Sequence, residues 1–273
     1  MRARFALALL AVALCAATPA PSSAPVVIRV GLVPNDDAAT PLLYALHSGM
    51  FRQAGLDVRI LPESSGAAVT AAVIGGNFDI GKSSVVPLIN AHLRGLPIAI
   101  VAPASIWNGT SKFAQLLVRR DSPIHSGADL NGKVIGVQAL NDMNEIATDA
   151  WVEEHGGDAH TLRYVEIPMS AAGAAIENGR IDAAAFVEPQ LENALADGRL
   201  RALDGAFDAI APRYLFAAWF STKAWAREHE ATARTFARIV TQAAAYTNAH
   251  HAQTVGMVAE FTHIPLPVIE RMT

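Results

Sequence analysis

Short apolar runs rich in β-branched residues alternate with segments of helical periodicity along the first part of the chain. VIRVGLV (27–33), LDVRIL (56–61) and PIAIVAP (97–103) are predicted as strands. The stretch 41–51 has apolar residues at 42, 43, 46 and 50, the spacing of one helix face, and 66–74 is predicted as a second helix. Strands that alternate with helices in this way favour an α/β protein with parallel strands.

A second set of elements with the same alternation begins near Lys112. Asp142, with Glu145 three residues later, is a good cap for a helix that ends at Gly156 and Gly157. The other elements predicted from here on are strands at 112–120, 133–138, 163–167, 181–187 and 214–220, a short helix from Ser170, and a mostly helical tail from Ser221.

The segment GGNFDIGKSS (75–84) has a partial counterpart about a hundred residues later. At an offset of 103, Gly76 aligns with Gly179 and Asp79 with Asp182. A helix that ends in glycine, an apolar residue, an aspartate and a buried strand therefore occurs twice, although chance similarity is the alternative in an alanine-rich chain. The repeat predicts two similar lobes. The predicted lobe I comprises 25–105 and 215–273, lobe II comprises 106–214, and the strand crossings near 104–112 and 211–216 form the hinge.

The first residues have the features of a secretory signal peptide. Arg2 and Arg4 precede an apolar run at 5–14, which is too short to span a bilayer as a helix, and small residues and prolines follow. We therefore predict a signal peptide over 1–24 and a periplasmic mature protein. Lipid attachment at Cys15 is the alternative.

Charge and cysteine content exclude several classes of function. Without the leader, 25 acidic residues remain against 19 basic ones, and no basic run occurs, so we expect no binding to nucleic acid or to an anionic membrane. Since Cys15 is the single cysteine, disulfides, zinc thiolate sites and cysteine nucleophiles are not expected after cleavage.

No sequence motif indicates catalysis, and we predict neither a cofactor nor a metal site. GADLNGKV (127–134) resembles a phosphate-binding loop, but Val134 replaces the required Ser or Thr and a strand follows instead of a helix. The histidines form no HExxH motif, and no GxSxG elbow is present.

Small polar residues follow several predicted strands, where the ligand crevices of open α/β sheets lie. Each alone is best explained as a helix cap or turn residue, but their shared location favours some of them facing one cleft. Since Pro87 fits only the first turn of a helix, that helix should begin at Ser83 or Ser84, with one hydroxyl as its cap. Trp107 is expected either to stack on a ligand or to pack the hinge. These junctions are at 35–40, Ser64 and Ser65, Ser83 and Ser84, 138–141, and Glu188.

Four segments together resemble a known family. They are YALHSGMFRQAGLDVRILPESSG, AAVIGGNFDIGKSS, SGADLNGKVIGVQ and GRIDAAAFVEP. The chain is similar to bacterial periplasmic solute-binding proteins of the nitrate, sulfonate, taurine and thiamine-pyrimidine-precursor group. The resemblance covers roughly residues 27–225, is specific for the superfamily and weak for the ligand.

The resemblance implies a two-lobed, type II Venus-flytrap fold and a monomer without enzymatic activity. Such a protein closes on a small-molecule ligand, here a sulfonate-like, taurine-like or nitrate-like anion or an aromatic or pyrimidine-like solute, and presents it to the membrane permease of an ABC importer. The expected ligand-binding residues are Asn35, Ser65, Ser83, Ser84, Asn108, Asn141 and Glu188 from the resemblance, with Trp107 added from its place between the lobes.

Alternative roles are a ligand-sensing module for a membrane receptor and an enzyme related to pyrimidine synthases. The resemblance implies that those synthases need a histidine and a cysteine cluster. Proteins of the resembled group are usually longer at the C-terminal end than this sequence, which stops at Thr273. We therefore expect that a final stretch of helix of lobe I is missing from it.

Overall fold

The computed structural model describes residues 24–34, 37–110 and 112–272. Residues 1–23 of the predicted signal peptide, with Cys15, and the candidate ligand residue Asn35 lie outside these ranges.

Strands and helices alternate through most of the described chain, as the hydrophobic pattern predicts. The strands are Val26–Leu32 (β1), Leu56–Pro62 (β2), Ile80–Ser84 (β3), Ile98–Trp107 (β4), Ala114–Arg119 (β5), Val134–Val137 (β6), Arg163–Glu166 (β7), Ala183–Val187 (β8), Leu200–Leu203 (β9) and Tyr214–Thr222 (β10). The helices are Thr40–His47 (α1), Met50–Gln53 (α2), Gly66–Ile74 (α3), Val85–Leu93 (α4), Met143–Glu154 (α5), Met169–Glu177 (α6), Gln190–Leu195 (α7), Lys223–Glu228 (α8), Glu230–Ala249 (α9), His251–Thr262 (α10) and Leu266–Ile269 (α11).

The strands form two sheets with equivalent strand orders. The first sheet has the order β2-β1-β3-β10-β4 and the second has the order β7-β6-β8-β5-β9. In each sheet the first three strands are parallel, and the fourth is antiparallel to its neighbours. The chain crosses between the sheets after β4 and before β10, so the β2 and β7 edges are the edges farthest from the crossings.

The sequence repeat corresponds to the same turn in both sheets, which confirms its architectural interpretation. Gly76 and Gly179 end their helices with positive φ angles of 77° and 68°, a conformation that favours glycine. Asp79 Oδ2 then accepts the backbone N–H of Arg29 at 2.7 Å, and Asp182 Oδ2 accepts that of Val134 at 2.9 Å. Each aspartate thus joins the turn before one strand to its parallel neighbour, β1 in the first sheet and β6 in the second.

Apolar residues cover the faces of both sheets, and an aromatic cluster fills the region of the crossings. Trp107 is 3% exposed, and its ring centroid lies 5.2 Å from that of Phe113 and 5.5 Å from that of Phe207. Its Nε1 donates to Asp208 Oδ1 at 2.8 Å. These contacts account for the burial of Trp107 by packing, one of the two roles expected for it.

Three local predictions are wrong. The helix predicted over 41–51 is divided into α1 and α2, because Gly49 adopts a φ of +76°. The helix predicted to begin at Ser83 or Ser84 begins at Val85, since β3 continues to Ser84 through its pairing with β10. Ser84 is the N-cap residue, but its hydroxyl makes no cap hydrogen bond, contrary to the predicted role.

Candidate functional site

A cavity of about 350 Å³ lies between the carboxyl ends of the parallel strands of the two sheets. Its volume is at the lower end of the roughly 300–1,000 Å³ that is typical of small-molecule sites. Lobe I contributes residues after β1 and β2, the last residues of β3, the first turns of α3 and α4, and two residues of β10. Lobe II contributes residues after β6, β7 and β8 and the first residues of α5, α6 and α7. Helix N-termini from both lobes therefore border one cavity.

The lobe I wall is formed by the ends of β3 and the start of α3. Ser65 caps α3 by accepting the N–H of Ala68 at 3.2 Å, which leaves Gly66 at the cavity wall. Ser83 lies beneath Gly66 so closely that a Cβ on Gly66 would be 2.4 Å from Ser83 Oγ. Only a residue without a side chain fits here, so α3 approaches β3 more closely than another residue would allow.

Ser83 is the unusual polar group of this wall. It is 2% exposed, and its Oγ is buried without a hydrogen-bond partner among the described residues. Because leaving a buried hydroxyl unpaired costs about 1–3 kcal/mol, such a group calls for an explanation, and a ligand that completes the site is one.

The start of α4 adds further hydrogen-bond donors to the wall. Ser84 leaves the first N–H groups of α4 uncapped, and Pro87, its third residue, has no N–H to offer. Lys82, which is 3% exposed, lines the cavity beside them. The wall therefore brings the N-termini of α3 and α4 together, and helix N-termini favour a negatively charged group.

Asp142 is a buried acid in the lobe II wall. It is the N-cap of α5, and its Oδ1 accepts the N–H groups of Asn144 at 2.8 Å and of Glu145 at 3.0 Å, which confirms the predicted cap. Burial raises the pKa of Asp142 to about 6, although these backbone hydrogen bonds act in the opposite direction. Asn144 Nδ2 donates to the carbonyl of Ala185 at 3.2 Å, which ties the start of α5 to β8.

Two hydrogen bonds join the lobes beside the cavity. Gln138 Nε2 donates to the carbonyl of Ser64 at 3.1 Å, and Asn90 Nδ2 donates to the carbonyl of Asn141 at 3.4 Å. Asn141 has a φ of +57°, and its N–H donates to Glu145 Oε2 at 2.7 Å. The turn before α5 is thereby held in a conformation that presents its carbonyl to lobe I.

A family model described as NMT1/THI5 like matches residues 37–254. The chain belongs to the NMT1/THI5-like family. Structural comparison shows the fold. The alkanesulfonate-binding protein SsuA from Xanthomonas axonopodis pv. citri, bound to MOPS, superposes with a TM-score of 0.77 over 90% of this chain and 83% of its own, at 20% identity. The NMT1/THI5-like chain therefore has the two-lobed periplasmic binding protein fold that was predicted.

The curated relatives include a binding protein and an enzyme. A putative aliphatic sulfonates-binding protein of Escherichia coli (strain K12) is 24% identical over 205 residues, which cover 75% of this chain and 62% of the relative. The 4-amino-5-hydroxymethyl-2-methylpyrimidine phosphate synthase THI13 of Saccharomyces cerevisiae is 29% identical over 149 residues, which cover 54% of this chain and 42% of the relative. The NMT1/THI5-like chain thus matches less than two thirds of the length of either.

The residues predicted to bind ligand are divided among several locations in the NMT1/THI5-like fold. Ser83 and Ser84 line the cavity, Ser65 caps α3 beside it, and Asn141 contributes its carbonyl to the contact between the lobes. Their roles toward a ligand stay predictions.

Three other predicted residues lie away from the cavity lining. Glu188, 2% exposed, follows β8 and accepts the N–H of Glu192 at 3.2 Å. Trp107 is in the aromatic cluster, and Asn108 borders a different groove of about 620 Å³ between the end of β4 and α9 and α10.

Sequence reasoning missed several residues of the wall. Gly66, Met143, Met169 and Gln190 line the cavity because each occupies the first turn of its helix. Their position at the start of a helix that follows a strand was the available signal. A glycine or an apolar residue at that position does not by itself indicate a ligand site, so the residue type gave no further help.

Among residues 24–34, 37–110 and 112–272, no group of three or more His, Cys, Asp or Glu side chains is arranged to hold a metal ion. Within the same ranges, no helix combines the length and the apolar character needed to cross a membrane.

Proposed function

We propose that the protein is the periplasmic substrate-binding component of an ABC importer and that it captures a small organic anion between its lobes. Its partner is the membrane permease, and it acts as a monomer with lobes at 25–105 plus 215–273 and at 106–214. The signal peptide pattern of residues 1–24 supports the periplasmic location.

The observation that carries this proposal is the orphaned Ser83 hydroxyl at the meeting point of α3 and α4. A negatively charged head group placed there would accept a hydrogen bond from Ser83 and from the uncapped N–H groups of α4. The same group would lie on the wall that contains Lys82. The family membership and the E. coli relative named as a sulfonates-binding protein support the same ligand class.

Closure of the lobes is the expected mechanism of capture. A ligand that contacts both walls binds the closed form more tightly than the open form and therefore shifts the population toward it. The hydrogen bonds from Gln138 to Ser64 and from Asn90 to Asn141 add to the stability of the closed form.

Calorimetry of the purified protein with alkanesulfonates, nitrate, aromatic acids and pyrimidines tests the proposal. At least one compound with a negatively charged head should bind with a micromolar dissociation constant, and Ser83→Ala should weaken that binding. A panel in which only uncharged pyrimidines bind, or in which nothing binds, would contradict capture of an anion.

A synthase activity is the second candidate, favoured by the S. cerevisiae relative. The described residues that line the cavity include no histidine and no cysteine, which favours binding without catalysis. Mass spectrometry of the compound released after prolonged incubation separates the two functions. A binding protein returns the compound unchanged, whereas a new product would identify an enzyme.

A different measurement distinguishes a permease from a membrane receptor as the partner. If genes for a permease and an ATPase adjoin this gene, proteoliposomes that contain their products should accumulate the ligand only when the protein is added. A neighbouring receptor kinase, and no uptake, would instead favour the sensing role.

A further inference from the structure

The turn at 138–142, which joins β6 to α5, contacts lobe I at two points. Gln138 Nε2 donates to the carbonyl of Ser64, directly before the cap of α3, at 3.1 Å. Three residues further along the turn, the carbonyl of Asn141 accepts a hydrogen bond from Asn90 Nδ2 on α4 at 3.4 Å. One short segment of lobe II therefore reaches two separate elements of lobe I.

Carboxylates of lobe II hold the backbone of this turn in place. Glu166 Oε1 accepts the N–H of Leu140 at 2.9 Å, and Glu145 Oε2 accepts the N–H of Asn141 at 2.7 Å. The next residue, Asp142, is the N-cap of α5. Hydrogen bonds to an ionised acceptor are stronger than those between neutral groups, so the turn is fixed on the side that faces away from lobe I.

Asn141 has the backbone conformation on which the second contact depends. Its φ is +57°, a value that few residues other than glycine adopt and that asparagine tolerates better than most. This angle presents the carbonyl of Asn141 to Asn90 while its N–H faces Glu145. A residue that disfavours positive φ would turn the carbonyl away from lobe I.

We infer that the turn at 138–142 is a latch that holds the lobes closed independently of the ligand, and that Glu145 and Asn141 are its positioning residues. The inference rests on the proposed function, because it assumes that capture requires closure. Neither positioning residue lines the cavity, and neither does Asn90. Their effect on capture must therefore pass through the equilibrium between open and closed forms, which scales the affinity for every ligand of the closed form alike.

Distance measurements on the ligand-free protein test the latch without any ligand. Spin labels on Arg59→Cys and Arg163→Cys, exposed positions on β2 and β7, report the separation of the lobes at the edges farthest from the crossings. Cys15 is the single cysteine and belongs to the predicted signal peptide, so a chain that begins at residue 25 has no other site for the label. Electron–electron resonance should find a short, closed distance in a measurable fraction of the otherwise unchanged protein.

Replacing Glu145 by alanine removes the acceptor that positions Asn141. The ratio of closed to open molecules should fall about fivefold, the effect of losing one hydrogen bond. Glu145→Gln keeps an oxygen that can accept the same N–H and should retain most of the closed population. Glu154→Ala, an exposed position on the same helix with the same loss of charge, is the matched control and should leave the distances unchanged.

Two substitutions of Asn141 change its backbone preference without removing the carbonyl that Asn90 contacts. Asn141→Gly adopts positive φ readily and should keep the closed population, whereas Asn141→Val is β-branched and should shift the molecules to the open distance. This pair keeps the inference testable should Glu145→Ala fail to fold. Circular dichroism melting curves identify the variants that are folded.

Calorimetry with the compound that binds best in the panel separates the latch from the proposed function. In each folded variant the affinity should fall by the factor by which the closed population falls. Unchanged distances in both Glu145→Ala and Asn141→Val, or a ligand-free protein that is entirely open, would overturn the latch and leave the proposed function standing. Shifted distances together with no binding by any compound would support the latch and contradict the proposed function.

Discussion

Replacing Ser83 by alanine should change stability and binding in opposite directions. The Ser83 Oγ is buried at the junction of β3 and α3, and it has no hydrogen-bond partner among the described residues. Removing an unpaired buried hydroxyl relieves its desolvation penalty, so the free energy of unfolding of the ligand-free protein should rise by about 1 kcal/mol. The same change removes a donor for the ligand head group and should weaken binding by about 1 kcal/mol, or roughly fivefold.

Ser105→Ala provides a matched control for this prediction. Its Oγ is also buried without a described partner, but Ser105 lies on β4 and borders the groove that contains Asn108, not the cavity. Both variants should therefore unfold at a higher urea concentration than the wild type, whereas only Ser83→Ala should lose affinity in calorimetry. A Ser83→Ala variant that is less stable by about 1 kcal/mol or more would show that the hydroxyl has a stabilising partner. Unchanged affinity would remove Ser83 from the ligand site.

Ser84→Ala should leave the urea midpoint nearly unchanged, because the Ser84 hydroxyl makes no cap hydrogen bond, and should weaken ligand binding by roughly 1 kcal/mol in calorimetry; unchanged affinity would exclude Ser84 from the site. Asp79→Asn should cost about 2 kcal/mol in urea unfolding, since it breaks the pair between Asp79 Oδ1 and Arg29 Nη2 at 2.7 Å. Asp182→Asn should cost less, because the ion pair of Asp182 with a lysine is longer, at 3.7 Å, and partly exposed, and equal losses would contradict this reasoning. The wild type should lose stability as the pH rises from about 4 to about 6, because burial raises the pKa of Asp142 from 3.8 to about 6 and the folded state holds the proton more tightly than the unfolded state. Asp142→Asn should remove this loss. Unfolding free energies of the wild type and this variant at several pH values measure that difference, roughly 3 kcal/mol at most, and parallel pH profiles would refute it.

Features that depend on a few neighbouring residues were predictable from the sequence. The helix at 66–74 and the cap of α5 by Asp142 both agree with the structure. The two aspartates of the repeat were recognised because a glycine helix stop, an apolar residue and an aspartate recur at one spacing. Each of these patterns is enforced within one turn of chain, so the local sequence contains the information.

Features that depend on a distant partner were predicted less well. Serine commonly caps helices, but β10 pairs with β3 up to Ser84, and α4 therefore starts at Val85. Trp107 is of a residue type that can stack on a ligand, yet in the fold it contacts Phe113, Phe207 and Asp208. In both cases a deciding contact comes from residues far along the chain, β10 for Ser84 and Phe207 with Asp208 for Trp107.

The sequence by itself determined the α/β class, the two-lobe repeat and the set of polar strand-to-helix junctions, because hydrophobic period and turn chemistry are local properties. Only the tertiary structure decided which of those junctions border one cavity. Gly66 covers Ser83, and residues of both lobes line one cleft, through the packing of strands and lobes. The physical reason is that burial, an unpaired hydroxyl and the polarity of a cavity are properties of surfaces brought together by folding.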